Sequence, residues 1–155
     1  MNPDKSDSWG ILSLFPLVYY GLAASYSFCR IFALGDYEPK DGQWGSFQIE
    51  LLILGFTTFL AFMGYLIGLG LIKTAVQRLS RKTLYLIMTT SAFLSLVVFI
   101  VIDRIIDRII DSYIVPVVIA LGVNFGSLLL IPALLGASLV KISQICLARR
   151  QSIQR

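Results

Sequence analysis

Polar residues fall in short intervals along this chain, and four long apolar runs lie between them. The first run covers residues 9–35 with Arg30 as its only charge, and the second covers 47–72 with Glu50 as its only charge. The third, 83–102, and the fourth, 113–140, carry no charge. A helix rises 1.5 Å per residue, so crossing a hydrocarbon core of roughly 30 Å takes about 20 apolar residues. Each run is long enough. Residues 51–56 and 94–102 are apolar at nearly every position and lack the alternation of a membrane barrel strand. In lipid the backbone must bond within its own segment, and an unbroken apolar run does so as a helix.

The pattern predicts an all-α, polytopic integral membrane protein. It forms one transmembrane domain over residues 1–155, a four-helix bundle with helices at 9–35, 47–72, 83–102 and 113–140. The third helix has a possible amphipathic extension to 111, and a short basic tail follows at 141–155. The first run reads as a retained helix, because Asp4, Lys5 and Asp7 do not make the positive leader of a signal peptide.

Charge then sets orientation. The loop at 73–82 holds Lys73, Arg78, Arg81 and Lys82, and the tail holds Lys141, Arg149, Arg150 and Arg155, with no acid in either. The loops at 36–45 and 103–112 are mixed. Positive residues flanking spans stay cytoplasmic, and four crossings put the second loop and the tail on one side. Both termini are therefore expected in the cytoplasm, or on the equivalent side of an organellar inner membrane. The net charge of +4 reads as this orientation signal, with the lipid bilayer as partner and no nucleic acid.

Composition narrows the chemistry. Hydrophobic residues make up 57% and charged residues 14%, against about 25% charged in soluble domains, which excludes both a soluble globule and a disordered chain. Histidine is absent, removing imidazole ligands and imidazole bases. The two cysteines, Cys29 and Cys146, fall toward opposite faces of the membrane and cannot form an internal disulfide. The sequence holds no phosphate loop, Ser-His-Asp set or CxxC pair. The expectation is a chain without cofactor or catalytic residues: a small membrane subunit or assembly factor that packs against other membrane subunits or copies of itself. The alternative is a small transporter or channel acting as a homo-oligomer.

Several residues stand out against the apolar background. Arg30 and Glu50 flank the first loop at similar depth, so they are expected to approach, as a structural ion pair or as an ion-binding gate at the outer mouth. Gly64 and Gly68, and Gly122 and Gly126, form two GxxxG motifs that let helix backbones come close. Internal packing is the favoured reading, and a subunit interface is the other. Asn124, with Ser91 and Ser95, lies near the midplane and reads as hydrogen-bonding glue between helices rather than a polar path. Pro16 and Pro132 should kink the first and fourth helices. The repeat over 103–111 places Asp103, Asp107 and Asp111 on one helical ridge. Arg104 and Arg108 offset that charge, so a solvated helix end or an outer-face docking surface is expected rather than a metal site.

Overall fold

The computed structural model describes residues 7–36, 42–112 and 117–153. All regular structure among them is helical. Helices α1 (Asp7–Leu12) and α2 (Phe15–Phe28), with a π turn at Cys29–Ala33, make the first long unit. Then come α3 (Gly42–Gly70), the short α4 (Lys73–Val76), α5 (Arg81–Ser112) and α6 (Val117–Ile153). Four stretches are long and apolar enough to cross a membrane: Ser8–Ala33, Gly42–Gly70, Arg81–Ile105 and Gly122–Arg149.

Local chemistry explains the boundaries. Pro16 lies in the first turn of α2, where a missing N–H is harmless. As a continuation of α1 it would have removed a helical hydrogen bond, and the chain breaks into a turn at Ser13–Leu14 instead. At the other end, Gly35 has φ +71°, the left-handed conformation that ends helices with glycine. Ser80 Oγ accepts the Thr83 N–H at 3.3 Å and caps α5. Pro132 is accommodated inside the continuous α6. The 103–111 repeat extends α5 without a break, and α6 continues through the basic segment to Ile153.

The core centres on a ring stack between helices. Phe15 lies flat on Tyr65, with ring centroids 4.2 Å apart and planes 15° from parallel, and Tyr19 follows at 5.8 Å. Tyr65 is in turn covered by α6, because a Cβ at Gly136 would sit 2.9 Å from its ring. Helices α3 and α6 run in the same direction. A Cβ on Gly64 would meet Leu129 Cα at 2.8 Å, and one on Gly68, four residues on, would meet Ala133 Cα at 2.6 Å. Backbone lies against backbone along this seam, as small-xxx-small spacing allows.

One end of the bundle gathers the basic segments. Val76 and Leu79 tuck the α4 connection against the core. Gln144 Nε2 donates to the Ala75 carbonyl at 3.0 Å, tying the C-terminal stretch of α6 to that connection. Lys73, Arg78, Arg81 and Lys82 thus share an end with Lys141 and Arg149. The opposite end is rich in aromatics. Phe32 and Phe47 pack edge to face at 5.9 Å, and Phe28 and Trp44 complete the cluster.

Candidate functional site

The end opposite the basic segments carries the chain's intramembrane charges. Arg30 sits in the π turn, a wider coil often found where a side chain must be re-aimed. Glu50 comes from the first turns of α3. Arg30 Nη2 donates to Glu50 Oε1, and the two side chains are 28% and 22% exposed. Arg30 Nε also lies 3.0 Å from Asp36 Oδ2, in the loop that follows the π turn. That contact lacks hydrogen-bond geometry, so Nε keeps an unused donor in an enclosed position.

This ion pair is one wall of a cavity of about 290 Å³ between α2, α3 and α5. Asp103 and Arg104 of α5 complete a charged rim with Arg30 and Glu50. Below the rim, Tyr19, Tyr26, Ser27 and Thr57 line the walls among Ala23, Ile53, Leu54, Leu96, Phe99 and Ile100. Tyr19 lies eleven residues before Arg30, so the cavity reaches about 16 Å down α2 at 1.5 Å per residue. Arg30 and Arg104 share this rim with Glu50 and Asp103, and Asp36 adds a third carboxylate beside Arg30.

The structure therefore brings Arg30, Glu50 and Asp103 to one place. The side chains of Asp107 and Asp111 lie outside the described residues. Sequence reasoning set Asp103 apart from Arg30 and Glu50 because nothing local in the chain gives the register of α5 against α2. The cavity itself carries no sequence motif. The only advance sign was that Arg30, Glu50 and the 103–111 repeat all fall toward the same predicted membrane face.

The two glycine motifs separate. Gly64 and Gly68 are buried in the α3–α6 seam. Among the described residues nothing lies within 4 Å of a Cβ built on Gly122 or Gly126, so the described residues do not close on this motif as they do on Gly64 and Gly68. The reason is geometric. Residues 122, 126, 129, 133 and 136 share one face of α6, and only its later part meets α3 backbone.

The midplane hydroxyls also depart from expectation. Ser91 and Ser95 are buried at 0% and 2% exposure, and neither hydroxyl has a partner among the described residues. Asn124 Oδ1 is likewise enclosed without one. Thr57 donates to the Leu54 carbonyl and Thr89 to the Tyr85 carbonyl of their own helices. Short hydroxyls such as those of Thr57 and Thr89 reach the carbonyl one turn back more easily than a neighbouring helix, whereas Ser91 and Ser95 make neither bond among the described residues. The Tyr65 hydroxyl faces Ser91 without hydrogen-bond geometry. Tyr65→Phe is therefore expected to change stability by under about 0.5 kcal/mol, since no net hydrogen bond is lost. Denaturation in mixed micelles checks this, and the same outcome is expected for Ser95→Ala.

Comparison with protein-family models, with curated proteins and with solved structures returns no match for this chain.

Proposed function

We infer that this chain is a non-catalytic membrane protein that works by packing against another membrane helix, as a subunit or assembly factor with both termini in the cytoplasm. One observation supports the reading above others: the open Gly122–Gly126 stretch of α6. The same spacing at Gly64–Gly68 is filled by backbone, whereas here no described atom lies within 4 Å of either added Cβ. Exposed Val123 and Phe125 flank it, and a small-residue notch of this kind lets another helix backbone approach closely in lipid. The shared end of the two all-basic segments supports the cytoplasmic assignment, because positive residues resist translocation.

The test uses the open space itself. Gly122→Leu and Gly126→Leu have room in the isolated chain, so thermal unfolding in detergent is expected to stay within a few degrees of the parent. Copurification of membrane partners, or self-association measured by in-membrane cross-linking, is expected to fall severalfold. Unchanged association in both variants would overturn the reading. A small transporter acting as a homo-oligomer is the second reading, favoured by the charged cavity. Flux into vesicles that survives Ala23→Phe, which fills that cavity, would count against it.

A further inference from the structure

We propose that the end of the bundle formed by α4, the start of α5 and the last turns of α6 binds the headgroups of anionic phospholipids. Three observations carry this, and none depends on the α6 notch or on which side of the membrane this end faces.

The first is unpaired charge drawn from separate elements. Lys73 opens α4, Arg78 follows it, Lys82 lies in the first turn of α5, and Lys141 and Arg149 lie on α6; all five side chains are exposed. None of the five makes a side-chain hydrogen bond or ion pair with a described residue. Arg81 joins them by position and has a partner. The carboxylates of Asp36, Glu50 and Asp103 gather at the other end with Arg30. Of the acids on the described backbone only Asp7, which opens α1, lies toward the basic end. The second is fixed spacing. Gln144 Nε2 bonds the Ala75 carbonyl, and Val76 and Leu79 are buried, so the basic connection and the basic stretch of α6 are held side by side. Like charges kept together repel, and anionic headgroups relieve that repulsion. The third is the adjoining apolar surface, which favours a lipid over a soluble polyanion. Leu71 is 84% exposed two residues before Lys73, and exposed Tyr85 and Leu86 follow Lys82 by one turn. On α6, exposed Ile142 and Ile145 precede Arg149 by seven and four residues, on the same face. Apolar side chains toward the span with cations beyond them match the order of acyl chains and headgroups in a leaflet. A soluble polyanion calls for the cations alone.

The chain carries its own reporters. Its two tryptophans, Trp9 and Trp44, lie toward opposite ends: Trp9 near the start of the span Ser8–Ala33, away from Arg30, and Trp44 in the aromatic cluster beside Phe32. Trp44→Phe and Trp9→Phe each leave one of them. Both full-length variants are reconstituted in vesicles of brominated phosphatidylglycerol with plain phosphatidylcholine, and in the reverse pair. Quenching of fluorescence then gives the relative binding constant of the two lipids at each end. Brominated lipid is present in both leaflets, so either orientation of insertion reads the same. At Trp9 phosphatidylglycerol is expected to be preferred about fivefold, the contribution of one cation near the surface, and at Trp44 no preference is expected. High salt is expected to reduce the Trp9 ratio. Lys73→Gln, Arg78→Gln, Lys141→Gln and Arg149→Gln together are expected to bring it close to one. Equal constants at Trp9, an equal preference at Trp44, or a Trp9 ratio unchanged by high salt or by the combined variant overturns the proposal. Inorganic polyphosphate that shifts Trp9 emission in pure phosphatidylcholine vesicles as strongly as phosphatidylglycerol does assigns the surface to a soluble polyanion, and also overturns it. The salt series leaves every cation in place, so it decides the matter even where the combined variant fails to fold.

Discussion

Gly64→Leu is expected to abolish the native bundle, and Gly64→Ala to lower its stability by about 2 kcal/mol, within the range for overpacked cores. A Cβ at this position meets Leu129 backbone, with Cα and carbonyl carbon both at 2.8 Å. Rotamer changes do not relieve a clash with main chain, so α3 and α6 must move apart. Separation costs more here than in a soluble core. Lipid tails are as apolar as the side chains they replace, and helix association rests largely on dispersion contacts. A gap of even 0.5–1 Å forfeits roughly a quarter to a half of each contact's attraction. The seam is also short. Gly68 against Ala133 and Gly136 over Tyr65 lie one and two turns further along, so an opening at Gly64 propagates into the Phe15–Tyr65 stack. Gly64→Ala and Gly68→Ala should therefore be less than additive, because the first already lifts the helices at the second site. Unfolding in mixed micelles, with cross-linking between α3 and α6 as a structural readout, measures both. Gly122→Leu and Gly126→Leu are the matched controls.

That contrast marks where sequence reading stops. The requirement for about 20 apolar residues per crossing is local, so the four spans are legible: the observed limits fall within five residues of the first three runs, while the fourth, Gly122–Arg149, ends nine residues beyond its run. Arg30 and Glu50 are legible as neighbours because a single short loop places them at one depth on adjacent helices. Spacing alone shows that Gly64 and Gly122 each belong to a small-residue face. It does not show which face meets a helix, since that depends on where α3 and α6 cross. The same missing register hides the cavity, which needs Arg104 of α5 opposite Arg30, and the Phe15–Tyr65 stack, which needs α2 against α3. The midplane polar groups Ser91, Ser95 and Asn124 are hidden for the same reason: position along a span gives their depth but not which side chains of a neighbouring helix they meet.

The second large effect is expected at Arg30. Arg30→Ala should cost about 2–3 kcal/mol, below the 3–5 kcal/mol of a fully buried pair because its side chain and that of Glu50 are 28% and 22% exposed. Most of that loss comes from what remains. Glu50 keeps its charge within the end of a hydrophobic span and loses the hydrogen bond that Nη2 donates. Removing both partners with Arg30→Ala and Glu50→Ala should cost less than the sum of the single changes. The expected coupling is about 1.5–3 kcal/mol, the range for hydrogen bonds to charged groups. Asp36 is a built-in comparison. It also approaches Arg30, at 3.0 Å, but it is 56% exposed, and exposed pairs contribute about 0–1 kcal/mol. Asp36→Asn should therefore shift stability by under about 0.5 kcal/mol, with any effect lost in high salt. The Arg30–Glu50 coupling should persist there, because a partly buried pair is weakly screened. Arg30→Lys should recover only part of the loss: an ammonium reaches Glu50 as a point charge, without the planar fork that addresses Glu50 and Asp36 together. A coupling near zero in the double-mutant cycle would mean that solvent or headgroups hold each charge separately, and that the ion pair does not fix α2 against α3.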